Sequence, residues 1–296
     1  MKYAYSPILL VVILLFACNS KKKPVNAGAP AALAQELPPE QHTDLYGNWV
    51  GDFVGMSDGA PDYEDVARIN IRLSRITAEG VEGKSVVKGN DRPMKGTLTL
   101  TGNKYSFLMD EPGSDRHDGR FEFVIIGDTL KGKWKAYKAT EVKNPVKEFT
   151  LVKKPFLYNA NLMLPEGWEY VDYENGKSQT ELYTNEDGTV DTSINKVYRA
   201  ASEEVYKLNG SASELTEKQL KNLKKLDLEI IRNTIFARHG YSFKSKGVRQ
   251  FFDQVDWYVP VTNNIDGVLT EVEQKNVATL KRFEKYAQDN YDTFGR

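Results

Sequence analysis

From Leu45 to Lys154 apolar and polar residues alternate with a period of two. "GNWVGDF" sets Gly47, Trp49, Gly51 and Phe53 on one face, and "ARINIRL" sets Ala67, Ile69, Ile71 and Leu73 opposite Arg68, Asn70 and Arg72. "LKGKWKAY" sets Leu130, Gly132, Trp134 and Ala136 opposite Lys131, Lys133, Lys135 and Tyr137. With "GTLTLTG", "NKYSFLMD", "GRFEFVIIG" and "KEFTLVKK" the pattern gives about eight short strands parted by Gly, Asn and Asp turns. Strands with one apolar and one polar face belong to an antiparallel sheet, and a sheet of this size removes its edges by closing. The expectation is an up-and-down β-barrel over residues 44–155. Such a barrel is either filled by side chains or holds one small molecule, and the inward glycines leave the second option open.

Beyond about residue 210 the period becomes helical. Thr216 followed by Gln219 is a capping box, and Leu215 against Leu220 makes the apolar staple that fixes helix entry. In "LEIIRNTIFARHG", Leu228, Ile231 and Ile235 form a stripe with Ile230 and Ala237 beside it, an arc wide enough to imply burial. Gly240 falls where a helix end needs a left-handed residue, with Arg238 and His239 in the last turn. Thr270 with Glu273 caps a final helix through "KNVATLKRFEKY". A small all-α module is thus expected over 211–290, making the chain α+β with two domains. Residues 156–207 carry roughly ten acids against four bases. Residues 156–210 read as an acidic connecting segment, with a hairpin in 165–183 that turns at Asn175-Gly176.

"RNTIFARHGYSF", "FFDQVDWYVP" and "LTEVEQKN" resemble the YARHG domain, a bacterial extracytoplasmic module, over about residues 213–288. Phe236 stands where the motif has tyrosine, which removes a hydroxyl and keeps the ring. The resemblance identifies the domain without identifying its task; binding of an envelope component or protein partner is the expectation. Two physical readings of the motif compete. In one, Arg232, Asn233, Phe236, Ala237 and Gly240 are structural: Arg232 or Arg238 stacks on Trp257 or Tyr258, and Asn233 and His239 satisfy backbone groups at the helix end. In the other, Arg238, His239, Trp257 and Tyr258 line a groove suited to sugars or carboxylates. Gly47-Asn48-Trp49 and Gly132-Lys133-Trp134 resemble the short Gly-x-Trp motif of lipocalins and avidins, which supports the barrel.

The N-terminus changes the picture of where the chain resides. Lys2, the apolar run Ile8–Phe16 and a small residue before Cys18 describe an export signal over 1–17. That run is shorter than the about 20 apolar residues a membrane span needs. Leu15-Phe16-Ala17-Cys18 resembles the lipobox of bacterial lipoproteins, which implies acylation (palmitate included) of Cys18, the chain's single cysteine. Asn19 in place of aspartate implies, by the same resemblance, the outer membrane of a Gram-negative host. Residues 18–43 read as the lipidated cysteine and a disordered Ala/Pro/Gln tether that holds His42. Within it Lys21–Lys23 are either a solvated run or attracted to anionic headgroups, worth about 1 kcal/mol per charge.

A hydrophobic content of 40% fits globular folding, and a net charge of −1 gives no hint of nucleic acid. Motifs with chemical flavour fail their context. Lys84 and Ser85 in "AEGVEGKS" match a phosphate loop, but a strand follows where a helix is required. "GMSDG" around Ser57 lacks the helix of a nucleophile elbow. Asp115, His117 and Asp118 read as a hairpin tip, and "NEDGTVD" would put Tyr183 and Ile194 at calcium-ligand positions. The expectation is a non-enzymatic, lipid-anchored envelope protein without cofactor or metal. Its partners are the membrane and either peptidoglycan or an envelope protein. Two alternatives are a carrier of a small apolar ligand in the barrel and an envelope hydrolase using His239.

Overall fold

In the computed structural model, which describes residues 38–289, the alternation of the first half becomes a closed antiparallel barrel. Its strands are β1 (Gly47–Ser57), β2 (Ala60–Thr77), β3 (Gly80–Val87), β4 (Asn90–Thr101), β5 (Lys104–Asp110), β6 (Gly119–Ile126), β7 (Thr129–Ala136) and β8 (Val146–Lys154). Each pairs with its neighbour in sequence, and β8 closes on β1 with Gly51 opposite Leu151. The residues placed inward by alternation are inside: Trp49, Phe53, Ala67, Ile69, Ile71, Leu73, Leu130 and Trp134 are all buried. The phosphate-loop lookalike is β3 itself. Asp58 and Gly59, both at positive φ, make the tight β1–β2 turn beside Ser57.

The body of the barrel is filled. Phe53, Phe121, Phe123 and Phe149 contact one another through ring centroids 5.8–6.4 Å apart. The inward glycines do not leave room for a ligand. A Cβ at Gly51 would lie 2.4 Å from the Thr150 carbonyl oxygen, and one at Gly132 would lie 2.3 Å from that of Glu122. The neighbouring strand's backbone occupies that space.

One end of the barrel is plugged by a short 3-10 turn, Thr43–Leu45, whose Leu45 joins the core while the Trp49 indole donates to the Leu45 carbonyl at 3.0 Å. The Gln41 amide donates to Ile76 O at 2.8 Å, and the His42 ring meets Tyr105 edge-on at 5.1 Å. Residues 38–43, expected to end the tether, therefore belong to the barrel, because they cover an otherwise open apolar end. The signal segment, Leu15–Cys18, Lys21–Lys23 and the rest of the tether lie outside the described residues.

The middle segment differs from expectation in two ways. Its hairpin pairs β9 (Val171–Thr184) with β10 (Val190–Ala200) and turns at 185–189, where Gly188 takes positive φ and Asn185 N donates to Thr189 O at 2.8 Å. Asn175-Gly176 lies inside β9. The Asn175 amide and side chain both donate to the buried Asp172, and the β9–β10 register shifts beside them, so the apparent turn is a bulge. Secondly, 156–170 is not merely a connection. Leu164 and Tyr170 share a core with Leu226, Ile230, Phe251 and Phe252.

That core lies on one side of α3 (Lys225–Arg238); on the other, Leu228, Ile231 and Ile235 pack with Leu220, Val277 and Leu280. Burial on both sides explains the helix's wide apolar arc. The other helices are α1 (Glu204–Lys207), α2 (Glu217–Leu220), α4 (Lys246–Arg249) and α5 (Glu271–Glu284), with both expected capping boxes formed at Thr216 and Thr270.

The helical module docks on the outer wall of the barrel through polar groups. Arg68 donates to the carbonyls of Val255 and Tyr258, Asn70 to Pro260 O at 2.8 Å, Lys84 to Val261 O at 2.8 Å and Lys154 to Asp256 O at 2.8 Å. Asn70, on the polar face of β2, is fully buried there. Burial pushes the nearby Asp253 carboxyl up to about 6, against the opposing pull of Arg249 and Arg68. Arg68→Ala removes charge-assisted bonds worth about 1.5–3 kcal/mol. It is expected to lower the urea midpoint and to separate the unfolding of module and barrel. A single transition with an unchanged midpoint would show that the contact carries no stability.

Candidate functional site

The motif at the end of α3 is built around its helix stop. Gly240, at φ +69°, donates to Ala237 O at 2.9 Å, and Tyr241 N reaches back to Phe236 O at 3.1 Å, the double bond of a left-handed helix cap. A Cβ at Gly240 would also lie 2.4 Å from Val261 Cγ2, so both conformation and space demand glycine. The cap turns Arg238 and His239 away from solvent toward the 156–170 segment and α5.

Arg238 is 1% exposed. Its guanidinium donates to Leu162 O at 2.7 Å and to Ser211 Oγ at 3.0 Å, and approaches Met163 Sδ at 3.5 Å. Burial pulls its pKa down to about 10, although the Glu273 charge partly offsets this. The His239 ring stacks on Tyr158 at 4.4 Å, and its Nε2 lies 2.7 Å from Glu273 Oε2. Glu273 is fully buried and also accepts from Tyr158 Oη at 3.1 Å and the Thr270 amide at 2.9 Å. Burial pushes its carboxyl up, but the bonds from His239, Ser211 and Thr270 outweigh that and hold it at about 2.

The groove expected from Arg238, His239, Trp257 and Tyr258 is therefore not a surface. Trp257 Nε1 donates to Met163 O at 2.8 Å, and Tyr258, 1% exposed, donates to Tyr241 O at 2.7 Å. Arg238, His239 and the half-buried Trp257 are tied to the 156–170 segment, and Tyr258 to the chain beyond the helix cap. His239 does lie beside an acid, yet its side chain is only 8% exposed and lies under the Tyr158 ring. The contacts expected of a structural motif are not the ones formed: among the described residues no arginine stacks on Trp257 or Tyr258, and the His239 ring meets a carboxylate and not the backbone. Arg232 stacks on Phe236 at 5.8 Å and forks onto Glu284 at 2.6 and 3.1 Å, while Asn233 accepts from Arg232 at 3.1 Å. Glu273 reads in sequence only as a capping residue; its role as the central anion depends on α5 lying against α3.

A second site lies at the barrel end opposite the plug, a cavity of about 640 Å³. Phe53, Phe121 and Trp134 form its floor, and charged side chains line its wall. Glu111 is buried, accepting from Ser85 Oγ at 2.6 Å, Gly119 N at 2.9 Å and Trp134 Nε1 at 3.1 Å; desolvation still raises its pKa. Asp115 and Asp118 pair with Arg92 at 3.2 and 2.7 Å, and Arg116 donates to His117 at 3.0 Å. Among the described residues no group of three or more His, Cys, Asp or Glu is placed to hold a metal ion. Among the same described residues no helix is long and apolar enough to cross a membrane.

The fold and this motif together define an antiparallel barrel carrying a helical module. A family model, the YARHG domain, matches residues 203–285. The match begins at α1, ahead of the boundary at 211 expected from helical periodicity. No curated protein and no solved structure matches the chain.

Two outcomes follow from the Glu273 cluster. Arg238→Ala leaves Leu162 O and Ser211 without their donor and opens a cavity, so it should cost about 2–4 kcal/mol and loosen the module in circular dichroism melts. Glu273 has a depressed carboxyl pKa, so its contribution is fully present above pH 4.5 and disappears as the pH falls toward 2. Glu273→Gln should therefore be less stable than wild type at pH 7, with the gap closing below pH 4.5. A gap independent of pH would place the stabilisation elsewhere.

Proposed function

We propose that the protein is a lipid-anchored component of the cell envelope that acts by binding and not by catalysis, its YARHG module taking a wall component or an envelope protein. The observation that carries this reading is the use made of the motif's chemical groups. Arg238 and His239 are spent on Leu162, Ser211 and Glu273, which leaves neither a free nucleophile–base pair nor an accessible general acid. The motif then acts as an internal clamp, and recognition falls to surfaces that the clamp holds in place. Anchoring through Cys18 rests on the apolar run that stops at that cysteine, and the outer-membrane address on Asn19 behind it.

Co-sedimentation of the mature protein with purified peptidoglycan tests the wall-binding arm. Pelleting that saturates with added protein supports it. A folded protein that stays in the supernatant removes the wall and leaves an envelope protein as partner. Metabolic labelling with an alkyne palmitate analogue tests the anchor: the wild type should take up label and Cys18→Ser should not. Equal labelling of both would place the lipid elsewhere or remove it.

A further inference from the structure

The cavity at the open end of the barrel combines an aromatic floor with a charged wall. In that wall Lys143 and Arg92 are also answered by Asp62 and Asp118, just outside the lining. Phe53 lies 6.2 Å from Phe121 and 5.9 Å from Trp134 between ring centroids. Around them stand Lys88, Arg92, Arg116, Lys143, Lys147 and Lys244 against Glu64, Asp65, Glu111 and Asp115. The inner carboxylates are saturated. Asp65 accepts from Lys88, Lys147 and Asn144, and Glu111 turns both oxygens to donors in the wall.

The cations are not equally satisfied. Lys88 and Lys147 share the single carboxylate of Asp65. The Lys147 side chain is 11% exposed, and its ammonium lies 5.3 Å from the centre of the Phe53 ring, at the junction of charge and apolar floor. Burial and the adjacent Lys88 both pull its pKa down, the mark of an ammonium short of negative charge. At the rim, neither Arg116 nor Lys244 forms an ion pair among the described residues, although the Arg116 charge is felt by Asp115.

Lys244 belongs to the helical module and is fixed at the rim by close packing. A Cβ at Gly89 would lie 2.8 Å from the Lys244 Cβ, and the Gly89 amide donates to Ser242 Oγ at 3.0 Å. The cavity is therefore finished by a residue from outside the barrel.

We propose that this cavity binds a small amphiphilic anion, with a ring or short apolar body on Phe53, Phe121 and Trp134 and a carboxylate or phosphate against Lys147, Lys88 and Lys244. This goes beyond the envelope-binding role and stands without it. It also replaces the purely apolar cargo expected for a barrel carrier: an uncharged ligand would leave the wall's ammonium groups desolvated and uncompensated, whereas an anion completes them.

The test uses two probes with the same ring system, 1-anilinonaphthalene-8-sulfonate and its uncharged analogue N-phenyl-1-naphthylamine, titrated by fluorescence into the mature protein. The sulfonate should bind at one saturable site, at least about tenfold more tightly than the neutral amine. Lys147→Met and Lys244→Glu should each weaken the sulfonate by about tenfold and leave the amine unchanged. Lys147 also supports Asp65, so if Lys147→Met fails to melt cooperatively, the exposed Lys244→Glu decides alone. Displacement of the probe by benzoate supports a carboxylate ligand, and displacement by phenyl phosphate a phosphate one. Equal affinity for the two probes, or sulfonate binding untouched by Lys244→Glu, overturns the proposal.

Discussion

A carboxylate kept charged in the interior is costly unless donors surround it, and Glu273 is the point on which the helical half depends. Its partners come from three parts of the chain: Tyr158 from the segment leaving the barrel, His239 from the end of α3, and the Thr270 amide from the start of α5 itself. Ser211 extends the network to Arg238, which in turn holds Leu162. The crossing segment, two helices and the α1–α2 loop are thereby fixed relative to one another. Arg199 does similar work at the other end of α3, tying the hairpin's Asp172 to Glu229 and Asp289.

The barrel was readable because its information is local. Alternation in "ARINIRL" assigns Ile69 and Ile71 to the inside with no knowledge of any other strand. The caps at Thr216, Thr270 and Gly240 are equally local, since each is satisfied within a few residues. What escaped depends on distant partners. Asn70 carries the same polar signal whether it faces water or the carbonyl of Pro260, 190 residues away. Asn175-Gly176 has turn chemistry in either setting, and only the Asp172 bonds and the pairing of β10 make it a bulge. Glu273 satisfies a capping box completely, so nothing in its neighbourhood announces that His239 will lie beside it.

The same distinction explains the charged mouth. Alternation tells which residues face inward, but not how far along the axis each one lies. Phe53 and Lys147 are both inward groups of adjacent strands, and their contact places an ammonium directly above the aromatic core. Apolar filling below and cations above divide the barrel's interior into a packed base and a polar cup.

The docking of the module on the barrel has an asymmetry with consequences for how the two halves vary. Most of the donors are barrel side chains, and the matching acceptors are main-chain carbonyls of residues 255–261. A carbonyl is present whatever side chain its residue bears. The contact therefore reads the path of the 255–261 loop and not its letters. Substitutions in that loop that preserve the path are invisible to the barrel, whereas each of Arg68, Asn70, Lys84 and Lys154 is answerable for a particular bond. Across this loop the burden of recognition falls on the barrel's side chains, while the module contributes its own letters elsewhere, at Ser242, Arg249 and Asp253.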